Sequence, residues 1–159
     1  MGRFSRAFVA IGVAALLVAC SSSKPSIDTS KVLTKAEYTR ASDTICSTYR
    51  NRITGVVSSA GTGLSLTALK GIWTQRLIPL FQAEHRELLR LRPPKADAVR
   101  LKAALLAMNG GINTIVGRVN SATSAAQLDA INPRGLQAWN TEVRNYGMRT
   151  CGWNPGSGK

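Results

Sequence analysis

Apolar residues recur every three or four positions along the chain after Lys31, which is the spacing of an amphipathic α-helix. The period of two that indicates strands is almost absent. A first helix is predicted over 34–59, because "TKAE" forms a capping box in which Thr34 is the N-cap and Glu37 the third helical residue. The glycine-containing segment 58–65 is predicted to be a loop.

Two long helices are predicted to follow this loop. One covers 65–91, and its internal proline predicts a kink at 75–79, because proline has no N–H to donate. The next begins after "RPP" at 92–94 and is expected to continue through Gly110 and Gly111, which weaken it. Its apolar stripe comprises Val99, Leu101, Leu105, Met108, Ile112, Ile115 and Val119.

In the last part of the chain we predict a connector with a short helix, over 121–131, and then a fourth long helix. "NP" marks the start of this helix, with Asn132 as its cap and Pro133 as its first residue, and we expect it to end near Arg149. Antiparallel helices joined by short connections favour an all-α fold, a four-helix bundle-like domain.

The N-terminal segment differs from the rest of the chain. Arg3 and Arg6 precede an uncharged apolar run over 7–19, shorter than the about 20 residues that a membrane-spanning helix needs. A short apolar run after positive charges is typical of an export signal. Cys20 follows directly, and then a serine-rich stretch with the composition of a flexible linker.

Residues 17–20, "LVAC", resemble the lipobox of bacterial lipoproteins. The resemblance implies that Cys20 carries a diacylglyceryl group on its sulfur, that signal peptidase cuts before it, and that the protein is held on the extracytoplasmic face of the cell membrane. Two acyl chains anchor a protein stably. A non-cleaved anchor and an ordinary secreted protein are the alternatives. The predicted divisions of the chain are a signal peptide, a lipidated linker, a helical domain and a tail: 1–19, 20–33, 34–152 and 153–159.

The two remaining cysteines, Cys46 and Cys151, lie near opposite ends of the domain. Two thiols exported to an oxidising compartment are predicted to form a disulfide. A redox or metal role is the alternative, but the chain has no Cys-x-x-Cys motif and a single histidine.

Charge indicates the kind of partner. The chain has 21 Lys and Arg residues against 8 acidic ones and a net charge of +13, which favours anionic surfaces. The candidates are anionic lipid headgroups, an acidic envelope polymer or another envelope protein; the export signal argues against nucleic acid. The basic residues around the turn between the second and third helices form a predicted anionic-surface patch: Arg86, Arg90, Arg92, Lys95, Arg100 and Lys102.

Residues suited to catalysis or metal binding are sparse. Glu84, His85 and Glu87 are close in sequence, but adjacent helical residues diverge by about 100° and no second acid–histidine cluster exists. We therefore expect them to form a solvated helix face with Glu–Arg pairs. No phosphate-binding loop or Gly-x-Ser-x-Gly motif is present. The sequence predicts no metal, no cofactor and no enzymatic activity.

Three further segments carry a second resemblance: "LTKAEYTRASDTIC", "LLRLRPP" and the late "CG". Over roughly residues 33–152 they resemble small secreted or lipid-anchored helical proteins of actinobacteria. That family has no settled activity, so the resemblance implies only fold and compartment.

These observations predict a non-catalytic, membrane-anchored envelope lipoprotein whose helical domain is a binding or interaction module. The alternative is a helical module that binds a small molecule or lipid in an apolar cavity. An enclosed pocket between Pro79 and the glycines Gly110 and Gly111 would favour this alternative, and a solid core would favour the first function.

Overall fold

The computed structural model describes residues 30–131 and 136–152, and within these ranges all regular elements are helical. The predicted signal peptide, Cys20, the predicted helix start at Asn132 and Pro133, and the tail lie outside the described residues. The helices, in chain order, are α1 (Lys35–Ser59), α2 (Leu66–Ile72), α3 (Ile78–Leu89), α4 (Ala98–Ser121), α5 (Ala125–Asp129) and α6 (Gln137–Tyr146).

The helices form a bundle around one aliphatic and aromatic core. α1 packs on α3, α3 on α4, and α4 on α6, while α2 contacts the short α5. Because α2 and α3 belong to one helical stretch, the chain makes four long passes, and the predicted all-α, four-helix bundle-like domain is confirmed. The side chains that are most completely buried include Tyr38, Leu88, Leu101, Met108, Val143 and Tyr146.

The start of α1 matches its prediction. The Glu37 N–H donates to Thr34 Oγ1 at 3.3 Å, and the Thr34 N–H donates to Glu37 Oε2 at 2.9 Å. This reciprocal capping box satisfies two N–H groups that an isolated helix end leaves without partners. The helix then continues to Ser59, as its apolar spacing indicates.

The second predicted helix contains a π-helical turn, Trp73–Leu77, instead of a simple kink. The Ile78 N–H bonds to the carbonyl of Trp73, five residues back, and Pro79 follows as the second residue of α3. A wider turn just before the proline accommodates its missing N–H without ending the helical stretch. The irregularity therefore lies where the proline indicates, and its form is a π-helical turn.

α4 runs without a break through Gly110 and Gly111, as predicted. Gly110 is exposed, and a Cβ placed on it would have no neighbour within 4 Å. No close packing therefore requires a glycine at this position.

α6 ends at Tyr146 and not near Arg149, which corrects the prediction. Gly147 adopts a left-handed conformation with φ +105°, and its N–H bonds back to the carbonyls of Arg144 and Val143. Glycine adopts this conformation at little cost, so it commonly ends a helix. The chain then turns back over the bundle towards Cys151.

Cys46 and Cys151 form the predicted disulfide, with Sγ–Sγ 2.00 Å and Cα–Cα 5.1 Å. The two residues are separated by 105 positions, and both are buried. The bond joins the middle of α1 to the segment that follows α6, so it links the beginning of the domain to its end.

Candidate functional site

Four of the six predicted patch residues lie at one end of the bundle. Arg86 belongs to α3 and Arg90 follows its last residue. Both are exposed and they are four positions apart, so they lie on one helix face. Arg92 and Lys95 are exposed in the connection to α4. These residues place four positive charges within residues 86–95, a stretch that contains one acid, Glu87.

The other two patch residues lie on opposite sides of α4. Arg100 and Lys102 are two positions apart, which corresponds to about 200° around a helix. The Arg100 guanidinium pairs with Glu142 of α6 and lies 5.9 Å from the centre of the Tyr146 ring. Arg100 therefore faces α6, and the six residues do not share a single face.

The described chain begins against this same end of the bundle. The Leu33 N–H donates to the Arg92 carbonyl at 2.9 Å, and Arg92 Nη1 donates to the Ser30 carbonyl at 2.6 Å. Lys31 Nζ pairs with Glu37 Oε1 at 3.0 Å. We call the end formed by residues 30–33, 89–97 and the first turn of α4 the α3–α4 end.

The α3–α4 end also carries exposed apolar side chains. Val32, Leu89 and Val99 are 41%, 53% and 84% exposed, and they account for three of the five large hydrophobic residues exposed in the described ranges. One acid near them is committed elsewhere, because Asp97 Oδ2 accepts a hydrogen bond from Tyr146 Oη at 2.8 Å. The surface thus combines positive charge with apolar contact area.

An aspartate fixes the segment after α6 against α1. The backbone N–H groups of Arg149, Thr150 and Cys151 donate to the Asp43 carboxylate at 2.8–3.3 Å, and so does the Thr150 hydroxyl. Burial alone would raise the pKa of Asp43, but the hydrogen bonds from Thr150 and Arg149 outweigh it and hold the pKa below its ordinary value. We call this arrangement the Asp43 clamp.

A small cavity of about 30 Å³ lies beside the disulfide, between α1, α3, α4 and α6. A water molecule needs about 10–15 Å³ of such space, so the cavity holds only one or two. Arg50, Glu84, Asn140 and Thr150 form its polar side. Its apolar side comprises Cys46, Ile53, Phe81, Met108, Leu136 and Trp139.

The cavity does not lie where the alternative function would require a pocket. Pro79, Gly110 and Gly111 do not line it, and it is too small for an acyl chain. Glu84 faces it, and burial raises the pKa of this carboxyl to about 8, against a smaller lowering effect of the Arg50 charge.

The expectation that residues 84–87 form a solvated face was wrong for two of them. Glu84 and His85 are half-buried, and the His85 Nε2–H donates to the Leu105 carbonyl at 3.1 Å. Burial lowers the pKa of His85. Glu87 is exposed, but its Oε1 accepts from Tyr49 Oη at 2.6 Å. Within residues 30–131 and 136–152, His, Cys, Asp and Glu form no group of three or more that could hold a metal ion.

The sequence analysis did not single out Asp43 and placed Glu84 on a solvated face, although signals for the roles of both residues exist. Asp43 precedes Cys46 by three positions and so shares the face of α1 that meets the C-terminal segment. Glu84 lies three positions after Phe81 and four before Leu88, which are both buried, so it lies on the buried face of α3. An acid on an apolar stripe indicates a buried carboxyl.

Among the described residues, no helix has the length and apolar character needed to cross a bilayer. Comparisons with protein-family models, with curated proteins and with solved structures found no match.

Proposed function

We propose that this protein is a lipoprotein anchored through Cys20 to the outer face of the cell membrane, and that its helical domain is a non-catalytic binding or interaction module. The disulfide between Cys46 and Cys151 is the observation that carries this proposal. Because these two sulfurs are bonded to each other, Cys20 is the cysteine left for an acyl group. Disulfides also persist mainly in oxidising compartments, which is where a lipoprotein matures.

A binding role suits the described polar groups better than a catalytic one. The Asp43 carboxylate is occupied by N–H donors from the C-terminal segment, and His85 is bonded to a backbone carbonyl. Glu84 faces a cavity with room for one or two waters. A general base must reach the substrate proton that it removes, and these groups are directed at the protein itself.

The expected partners are anionic lipid headgroups, an acidic envelope polymer or another envelope protein. The positive residues of the α3–α4 end support an anionic partner, and the adjacent apolar side chains support one with apolar area as well. An exported protein has little access to nucleic acid, so we do not include it.

The alternative function, binding of a small molecule or lipid inside the bundle, has one observation in its favour, the cavity beside the disulfide. Its volume of about 30 Å³ is far below the several hundred Å³ of typical ligand pockets. We therefore favour a partner bound at the surface.

Intact-mass and peptide mass spectrometry of the native protein tests this proposal. We expect an N-terminus at Cys20 that carries diacylglycerol, together with a disulfide-linked Cys46–Cys151 peptide. Cys20→Ser should abolish lipid incorporation, whereas the control Cys46→Ala/Cys151→Ala should keep it, because lipidation depends on the signal segment. An intact Met1 terminus, or an unlipidated Cys20, would contradict the anchor.

A further inference from the structure

We propose that the α3–α4 end rests on an anionic lipid bilayer, so that the anchored domain has one preferred orientation. Arg90, Arg92 and Lys95 would contact the headgroups, and Leu89 and Val99 would enter the interfacial region. This inference rests on the proposed anchor at Cys20 and adds the surface and the lipid class to it.

The place where the chain joins the fold brings this end to the membrane. About ten residues separate Cys20 from Ser30, and an extended chain of that length spans at most about 35 Å. Ser30 is bonded to Arg92 at the α3–α4 end. α1 begins at this end and is 25 residues long, so its far end lies about 37 Å away along the helix. The anchor therefore keeps the α3–α4 end within easy reach of the bilayer and disfavours approach by the opposite end.

Charge complementarity selects an anionic membrane. Arg90 and Lys95 are exposed, and neither takes part in an ion pair among those found in the described ranges. Of the nearby carboxylates, Glu37 pairs with Lys31, while Asp97 and Glu87 accept from tyrosine hydroxyls and keep their charge, so basic residues still outnumber acids at this end. Each basic residue close to an anionic bilayer strengthens binding by about fivefold.

Apolar exposure supports a bilayer over an acidic polymer in solution. Leu89 and Val99 flank the basic residues and are 53% and 84% exposed. Interfacial binding combines buried apolar area with attraction to anionic lipids, and a soluble polyanion offers only the second. At the other end Val57 is also exposed and Arg118 adds positive charge, but the chain from Cys20 joins the fold at the α3–α4 end.

Depth-dependent fluorescence on vesicles tests the orientation. The full lipidated protein carries an environment-sensitive fluorophore at Leu89→Cys or, as the matched control, at Val57→Cys, an exposed valine near the opposite end. Each is reconstituted into phosphatidylcholine vesicles with and without phosphatidylglycerol, and flotation verifies the anchor first. We expect a blue shift and quenching by brominated lipid at position 89 in the anionic vesicles, and neither change at position 57.

Different results would contradict the anchor and the orientation. A lipidated chain that does not float with vesicles contradicts the anchor, and the orientation with it. A chain that floats but shows equal quenching at 57 and 89, or none at 89, contradicts the orientation alone. A shift at 89 with a soluble acidic polymer but not with phosphatidylglycerol assigns this end to the polymer and also overturns the inference.

A charge-matched pair of variants separates specific contact from general attraction. Arg90→Gln/Lys95→Gln should reduce quenching at position 89 severalfold in anionic vesicles. Arg76→Gln/Arg118→Gln removes the same charge from exposed sites outside the α3–α4 end and should leave it unchanged. Equal losses in both variants would overturn the assignment to this end.

Discussion

Burial of the Glu84 carboxyl makes the stability of this domain depend on pH. Burial favours its neutral form and raises the pKa to about 8, while Arg50 only partly offsets this. The folded protein thus holds the proton more tightly than the unfolded chain, in which the pKa is near the ordinary value of 4.5. The unfolded state releases this proton first, so the free energy of unfolding falls as pH rises from about 4.5 to 8.

Glu84→Gln should remove this loss. At pH 8 we expect the variant to be more stable than the parent by roughly 2 kcal/mol, discounted from the full shift because the side chain is only half-buried. At pH 4 the difference should nearly vanish, since the parent carboxyl is then mostly neutral in both the folded and the unfolded state. Urea unfolding at both pH values measures it. Asp129→Asn removes a carboxylate at an exposed site and is the control; a gap that does not change with pH would contradict the argument.

The Asp43 clamp should respond to acid in the opposite direction. Its pKa is lowered in the fold, so its contribution is present above the ordinary value of 3.8 and is lost as pH falls through the lowered value. Asp43→Ala leaves several backbone N–H groups without their acceptor and should destabilise the domain by about 2–4 kcal/mol at pH 7. Asp43→Asn keeps one accepting oxygen and should cost less. Equal losses in the two variants, by urea unfolding, would exclude these hydrogen bonds as the cause.

At the scale of elements, two glycines give opposite predictions. Gly147 ends α6 at φ +105°, where a side chain is strained, so Gly147→Ala should lower the free energy of unfolding by about 1–2 kcal/mol. Gly110 lies inside α4 with open space around its Cα, so Gly110→Ala should raise it by about 0.5–1 kcal/mol. Thermal unfolding of both proteins compares them under the same conditions, and changes of the same sign would contradict this account of the helix end.

Helices with strong local signals were predictable, and those decided by tertiary contacts were less so. The capping box at Thr34 fixes the start of α1, and the long apolar spacing of α4 outweighs its glycines. The π-helical turn depends on how the chain accommodates Pro79, which periodicity cannot distinguish from a kink. α6 ends at Tyr146 because Gly147 adopts a left-handed conformation, although Met148 and Arg149, which follow it, are residue types that a helix tolerates.

At the scale of the whole molecule, the sequence indicated which residue types matter and the fold determined which of them meet. The disulfide was predictable because the lipobox resemblance assigned Cys20 to an acyl group and so left two cysteines to pair. The Asp43 clamp was less predictable: the disulfide brings the C-terminal segment to the face of α1 that carries Asp43, but only the packed bundle shows that this carboxylate accepts from residues 149–151. The basic patch was divided for the same reason: Arg100 and Lys102 are neighbours in sequence but lie on opposite sides of α4.

The disulfide makes the largest single contribution that we predict for the domain. Closing a loop of 105 residues stabilises a protein by about 4.7 kcal/mol, against a typical total of roughly 5–15 kcal/mol. Cys46→Ala/Cys151→Ala should therefore lower the free energy of unfolding by about 3–5 kcal/mol, measured by urea unfolding at 25 °C.

Two comparisons make this last prediction specific. Cys20→Ser also removes a thiol but lies outside the closed loop, so the unfolding of its domain should match that of the parent. Addition of a reductant should bring the parent down to the stability of the double variant, because both then lack the same constraint on the unfolded chain. A double variant as stable as the oxidised parent would mean that the hydrogen bonds to Asp43 hold the C-terminal segment by themselves, and that the covalent link adds little to them.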